Sequence, residues 1–335
     1  MAELLRFEDN LPIMENALKL LSDDLKQVEG LFEEFLDSDV YLIRKVGDYV
    51  IASGGKRIRP MLLLLSARLA EYDGDQHVGL AAVVEFLHTA TLLHDDVVDD
   101  AVLRRGSASA NSLWGNQASV LVGDFLFAKS FSIMVRGGSL DVLQVLSDAT
   151  TSMAEGEIMQ LVGTCDLEMD EPRYLDVVRS KTAVLISAAC EAGGILGGVD
   201  DQKRTALKDF GMDLGIAFQF MDDALDYVAE EAEFGKARGH DLQEGKMTLP
   251  LIHALRECNE QERSRVEEIV EQDELPAEDL NYVCDLIEHY GGIEHTRMRA
   301  RELVEQAKGH LKCFADSPAR QALFELADYV VARRK

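Results

Sequence analysis

Two short stretches set acids in an otherwise apolar context: HDDVVDD over 94–100 and QFMDDALD over 219–226. Each holds the pattern DDxxD, which places Asp95, Asp96 and Asp99 in the first and Asp222, Asp223 and Asp226 in the second. On a helix, residues four apart share a face, so Asp95 with Asp99 and Asp222 with Asp226 form carboxylate pairs one turn apart. Like charges at that spacing repel, and nothing offsets the repulsion unless a cation lies between them. An all-oxygen donor set with no neighbouring cysteine suits Mg²⁺ better than zinc or iron, and Mg²⁺ completes its shell with phosphate oxygens. The expected ligand is therefore a phosphate ester. A lone DDxxD among 61 acids reads equally well as a solvent-facing turn, but two copies flanked by apolar residues favour a site.

An anionic ligand needs local cations here, because 34 Lys and Arg stand against 61 Asp and Glu for a net charge of −27. The same balance argues against a nucleic-acid binder. Cations cluster in GGKRIRP (54–60), in Arg104-Arg105-Gly106, at Lys181-Thr182, and at Lys236 and Lys246 in GKARGHDLQEGK. Glycines beside Lys and Arg let backbone amides approach an anion, and arginine grips phosphate oxygens in pairs. None is a P-loop, since GxxxxGK[ST] is missing. Singly each cluster reads as surface charge; as a set in an acidic chain they favour a diphosphate.

The elements that must position these residues are helices. Apolar residues recur at three- and four-residue spacing over 61–71, 78–103, 112–135, 142–161, 173–192, 203–228 and 248–258, while the alternation that strands need is nearly absent. Breaks fall at Gly54-Gly55, Asp73 to Asp75, Arg105-Gly106, Gly137-Gly138, Gly197-Gly198, Glu233 to Gly245 and Gly291-Gly292, each suited to a helix-to-helix turn. No Pro/Ser/Gly linker separates two compositions, so the 335 residues are read as a single all-α domain. Acidic runs near Asp23-Asp24, Glu33-Glu34 and 230–233 are read as solvated faces. Phe125, Phe127, Phe131 and Met134 are read as core, and Glu191 to Gly194 with Gly197-Gly198 as sites of close helix packing. No apolar run approaches membrane-spanning length, MAELLRFEDN is not a signal peptide, and the five cysteines form no CxxC pair. A reducing cytoplasm with buried free thiols follows.

The ordered set GGKRIRP, LHDDVVDD followed by LRRG, GDFLFAKSF, Lys181-Thr182, and FQFMDDALDY followed by GKxxGxDLxEGKxTLP resembles the trans-isoprenyl diphosphate synthases. The motif-bearing resemblance covers about residues 45–255, with a weaker helical tail over 256–335, and is greatest to the long-chain type that makes octaprenyl to decaprenyl diphosphates for quinone side chains. It implies an antiparallel helical bundle around a deep central cavity, in a homodimer. It also implies that Asp95, Asp96, Asp99, Asp222, Asp223 and Asp226 hold three Mg²⁺ on an allylic diphosphate, with Asp95, Asp99 and Asp222 as metal ligands. Arg104, Lys181, Lys236 and Lys246 would assist there, with Thr182 beside them and Gln219 bonding near the allylic end. Gly55, Lys56, Arg59, His88 and Arg105 would bind isopentenyl diphosphate. Asp100 has no assigned role.

The implied chemistry is ionisation of the allylic C–O bond, attack by the isopentenyl double bond on the cation, and loss of a proton, in a vessel that excludes water. With the primer's diphosphate at Asp95, its tail is expected to pass Thr91 and Ala90, then Leu87, then Val84, with Phe131 as part of the floor. Ala90 and Thr91 are small, so nothing bulky closes the path one turn below the metals. Competing readings are weaker. Glu85 to His88 spells the ExxH of a di-iron bundle, but no second ExxH exists. A metal phosphohydrolase built on His94-Asp95 leaves Asp222 to Asp226 unexplained, and a terpene cyclase would not need GGKRIRP. An inactive regulatory subunit would not need both DDxxD patterns.

Overall fold

Scarce proline and abundant Leu, Ala and Val let long helices run, and a computed structural model shows the chain to be almost wholly helical. It describes residues 11–52, 54–104, 106–228, 239–272 and 275–333. The helices used below are α1 (Leu11–Leu36), α2 (Tyr41–Ala52), α3 (Ile58–Leu69), α4 (Gln76–Val98), α5 (Ala110–Trp114), α6 (Asn116–Gly137), α7 (Leu140–Val162), α8 (Glu171–Val178), α9 (Val184–Leu196) and α10 (Asp201–Asp226). Further helices follow at Leu249–Glu257, Glu260–Val270, Ala277–His289, Gly292–His310 and Pro318–Ala332. The chain groups into two compact units. One comprises Met1–Thr150, Leu185–Gly211 and Lys308–Tyr329; the other comprises Thr151–Val184, Met212–Ala307 and Val330–Lys335.

In the first unit α4 packs against α1, α3, α5 and α6, and α6 packs also on α2. The apolar stripe Met14, Ala17, Leu21, Val28, Phe32 and Leu36 turns α1 onto this core, where the Phe32 and Phe86 rings lie 5.3 Å apart. Met61 to Leu65 are wholly buried, as expected of a helix covered on every side. Gly193 of α9 permits that cover, since a Cβ there would lie 2.6 Å from Ser66 and 2.7 Å from the Ala67 nitrogen. The second unit centres on Tyr227, Leu242, Leu251, Val283, Cys284 and Ile287. Its helix Leu249–Glu257 packs on Ala277–His289 and on α8.

Several expectations need correction. Helices over Leu11–Leu36 and Tyr41–Ala52 lie outside the expected segments. The segment over 78–103 stops at Val98, because Asp100 turns left-handed (φ 47) and the Ala101 N–H closes on the Asp96 carbonyl at 2.9 Å. Beyond it, Leu103–Arg104 pairs antiparallel with Ser107–Ala108, a short hairpin where a helix-to-helix turn was expected. Gly115 (φ 86) splits the segment over 112–135 into α5 and α6. Helix α6 is long and apolar enough by composition to cross a membrane, against the expectation that no run approached that length. It instead lends Val122, Leu126 and Met134 to the first unit's core, whereas Phe125, Phe127 and Phe131 are only half-buried. Asp24 is buried and bonded to Arg68 at 2.8 Å rather than solvated. All five thiols are free, and Cys190 and Cys284 are buried, but Cys165 and Cys313 are exposed.

Candidate active site

The first aspartate cluster occupies the last turn of α4. Asp95 and Asp99 are half-buried on it, with the Asp99 N–H bonded to the Asp95 carbonyl at 2.8 Å. Asp96 points inward, 2% exposed, and accepts from Arg104 Nε at 2.5 Å. Its carbonyl takes the Asn111 side-chain amide at 2.9 Å, so hairpin and α5 are both tied to this turn. Asp100 now has a role: it is the exposed left-handed residue that ends the helix, a position short polar side chains tolerate. His94 is committed to α6, with Nε2 3.1 Å from the Val120 carbonyl and 3.4 Å from Asp124, over Gly123, where a Cβ would clash.

GGKRIRP divides its labour within the same unit. Gly54 (φ 78) and Arg57 (φ 49) form the turn into α3. The Arg57 side chain is structural: it bonds Glu85 at 2.6 Å and the Ile51 carbonyl at 3.2 Å. Gly55 is exposed, Arg59 is half-buried in the first turn of α3, and Lys56 Nζ lies 5.2 Å over the Tyr329 ring. His88 is half-buried on α4, where its carbonyl accepts the Thr91 hydroxyl at 2.8 Å. Ala90, Leu87 and Val84 are fully buried along α4, and Phe131 lies on the neighbouring α6. Arg105 lies outside the described residues.

The second cluster lies on α10 in the second unit. Asp222 pairs with Arg333 at 2.7 Å, and that guanidinium also bonds the Phe218 carbonyl at 2.7 Å and covers the Phe218 ring at 4.0 Å. Asp223 is 1% exposed and accepts from the Tyr174 hydroxyl and from Gln219 Nε2, the latter at 2.8 Å. Burial, then the nearby Asp241 charge, pushes the Asp223 carboxyl well above the usual carboxylate range, although both hydrogen bonds pull it down. Burial and the Asp223 charge raise the Tyr174 phenol likewise. Asp226 accepts the Asp241 N–H at 3.1 Å, and Lys246 bonds Glu244 at 2.7 Å. Lys236 lies outside the described residues.

Lys181 and Thr182 lie in a π-turn, Arg179–Ala183, inserted between α8 and α9, where the Val184 N–H reaches back to the Arg179 carbonyl. Such single wide turns re-aim side chains and cluster at functional sites. Two glycines make room for this one: a Cβ on Gly156 would lie 2.5 Å from the Lys181 nitrogen, and one on Gly215 2.6 Å from the Ala183 Cα. Lys181 pairs with Glu157 at 2.5 Å, and the Thr182 hydroxyl donates to Gln219 Oε1 at 3.0 Å.

The expected residues thus fall into two sets, one in each unit. Sequence reasoning missed Tyr174, Glu157, Asp241 and Arg333. Tyr174 carried a signal, lying seven residues before Lys181, and Asp241 lay inside the quoted GxDL pattern. Arg333 carried none, because its partner is remote in sequence. Among the described residues no three His, Cys, Asp or Glu side chains group to hold a metal by themselves. The donors that Asp95, Asp99 and Asp222 offer are carboxylate oxygens, the set that suits Mg²⁺, which takes one or two carboxylates and leaves its other positions to water and substrate phosphate. A guanidinium resting on Asp222 shows that this carboxylate attracts a cation.

Known proteins match the chain over nearly its whole length. It is 44% identical over 320 residues to octaprenyl diphosphate synthase of Escherichia coli K12, covering 96% of this chain and 99% of that protein. The crystal structure of a polyprenyl synthase from Caulobacter crescentus CB15, complexed with calcium and isoprenyl diphosphate, superposes with a TM-score of 0.93 at 42% identity, covering 96% of this chain and 98% of that one. A decaprenyl diphosphate synthase from Rhodobacter capsulatus gives 0.91 at 44% identity, covering 96% and 99%. The polyprenyl synthetase family model matches residues 40–287. With both aspartate clusters inside that span, the chain belongs to the polyprenyl synthetase family.

Proposed function

We propose that the chain is a magnesium-dependent prenyltransferase that extends an allylic diphosphate by repeated head-to-tail condensation with isopentenyl diphosphate. Its product is a long-chain all-trans polyprenyl diphosphate, of the kind that supplies quinone side chains. The observation that carries this is 44% identity, over 96% of the chain, to an octaprenyl diphosphate synthase, with both DDxxD patterns present.

Asp95 and Asp99 in the first cluster and Asp222 in the second are read as the metal ligands, and Asp226 supports the second. When bound, Mg²⁺ supplies charge stabilisation for the departing diphosphate. The protein's own cations do the rest of the electrostatic work. Arg104, held by Asp96, and Lys181, held by Glu157, stabilise negative charge on the allylic diphosphate, with Lys236 and Lys246 assisting. Lys56, Arg59, His88, Arg105 and the Gly55 backbone hold isopentenyl diphosphate, while Gln219 and Thr182 orient the allylic end. Thr91, Ala90 and Leu87 carry the growing tail along α4 and exclude water from the cation, with Phe131 as part of the floor.

Exposed Leu121 and Val135 on α6, with Leu140 at the start of α7, support a homodimer, which sedimentation would test. The free cysteines fit a cytoplasmic setting. The function itself is tested by incubating the purified chain with farnesyl and isopentenyl diphosphates and Mg²⁺, then chromatographing the dephosphorylated products. Products in the octaprenyl to decaprenyl range are expected; no extension by the chain alone contradicts the proposal. Ala90→Phe and Thr91→Phe should shorten the products, because a ring fills tail space without touching the diphosphate. An unchanged distribution in both would mean that the tail takes another route.

A further inference from the structure

Tyr174 is a buried phenol that no step above uses. Its ring stacks on Phe220 with centroids 5.9 Å apart, and its hydroxyl donates to Asp223 Oδ2. The opposite oxygen of Asp223 takes Gln219 Nε2 at 2.8 Å, and Gln219 Oε1 takes the Thr182 hydroxyl at 3.0 Å. One line of hydrogen bonds therefore runs from α8 through α10 to the π-turn, wholly inside the second unit. Its polarity is fixed by what each group can donate. With two donors directed at it, Asp223 acts as the acceptor and can receive only the NH₂ side of the Gln219 amide, which leaves the amide carbonyl for Thr182.

Tyr174 supplies the second anchor of that carboxylate. With both oxygens engaged, the Asp223 plane cannot rotate, and the Gln219 amide loses its alternative flip. We propose that Tyr174 is a positioning residue for prenyl transfer, locking Gln219 and Thr182 in a single orientation through Asp223. The inference rests on the proposed place of Gln219 and Thr182 beside the allylic substrate. A group held this way acts on the geometry of the reacting centre, so its loss falls on kcat and spares the binding of isopentenyl diphosphate.

Steady-state kinetics of Tyr174→Phe, Gln219→Leu and the double variant, on the full-length chain, test this. Phenylalanine keeps the ring and its stack on Phe220 and removes only the hydroxyl. Tyr174→Phe should lower kcat about tenfold while KM for isopentenyl diphosphate moves less than about twofold. Gln219→Leu should be at least as slow, and the double variant should match Gln219→Leu within about twofold, because both changes break one line. A purely structural role would instead add its loss to that of Gln219→Leu. Additive losses, or wild-type kcat in Tyr174→Phe beside a slow Gln219→Leu, would overturn the inference alone. Wild-type kcat in Gln219→Leu would overturn the role of Gln219, and the inference with it. If Tyr174→Phe does not fold, Asp223→Asn takes its place: it cannot accept from Tyr174 and Gln219 on both sides at once, so the same kcat loss is expected and wild-type kcat overturns the inference.

Discussion

The two aspartate clusters share a pattern and differ in what their middle residue touches. Asp96 is buried against a cation, Arg104 at 2.5 Å, whereas Asp223 is buried against two neutral donors, Tyr174 and Gln219. The outer residues differ from both. Asp95 and Asp99 are half-buried on a helix end, and Asp222 retains 43% side-chain exposure even with Arg333 on it. One motif therefore splits in two: the outer carboxylates keep part of their surface exposed, and the middle carboxylate is spent on contacts within the protein. In the first cluster that contact fixes Arg104, which we propose to bind phosphate; in the second it fixes a neutral amide and hydroxyl.

The largest effect separates outer from middle. Asp95→Ala and Asp222→Ala should each lower turnover by about 10²–10³-fold, equivalent to losing about 3–4 kcal/mol of transition-state stabilisation. Near-normal turnover in either, measured by pyrophosphate release, breaks the equivalence of the two clusters.

Stability then separates the two middle residues. Asp96→Asn strands a largely enclosed guanidinium and should cost about 2–3 kcal/mol, below the range for fully buried pairs because Arg104 is 31% exposed. Asp223→Asn keeps the volume and removes the desolvation cost of a buried carboxyl, which offsets the one donor it leaves unpaired, and should cost no more than about 1 kcal/mol. Thermal melts decide between them, and equal losses would erase the distinction between a charged and a neutral partner. Next comes the π-turn of the second unit, where Gly215→Ala puts a methyl 2.6 Å from the Ala183 Cα and should cost roughly 1–2 kcal/mol with a fall in turnover. An unchanged melt and turnover would show that the turn tolerates the crowding. The smallest effect is at Asp100. Asp100→Gly relieves a left-handed residue (φ 47) and should raise the melting temperature by roughly 1 °C without slowing catalysis. Slower turnover there would give its carboxylate a chemical role.

Much of this was legible in the sequence because it depends on local spacing. Asp95 with Asp99 and Lys181 with Thr182 are defined by neighbours a turn or less away, and the buried stretch Met61 to Leu65 announces its helix. The end of α4 was not legible, since Val102 and Leu103 continue the apolar rhythm while a left-handed Asp100 breaks the helix. The π-turn was equally hidden: its extra residue is accommodated by Gly156 and Gly215 on other helices. Arg333 meets Asp222 only through tertiary packing, so no spacing in the sequence could pair them. Helix α1 was obscured by its charged outer face, although its inner stripe is regular.

The division between outer and middle aspartates is tested most directly by the Mg²⁺ concentration that half-saturates pyrophosphate binding, measured by titration calorimetry on the wild-type chain and four variants. Asp95→Ala and Asp222→Ala should raise that concentration about tenfold or abolish binding, as expected when one of one or two protein carboxylates on the ion is removed. Asp96→Asn and Asp223→Asn should leave it within about threefold of wild type, since neither side chain is proposed to touch the ion. A rise in that concentration in Asp96→Asn or Asp223→Asn as large as in the outer variants would contradict the account.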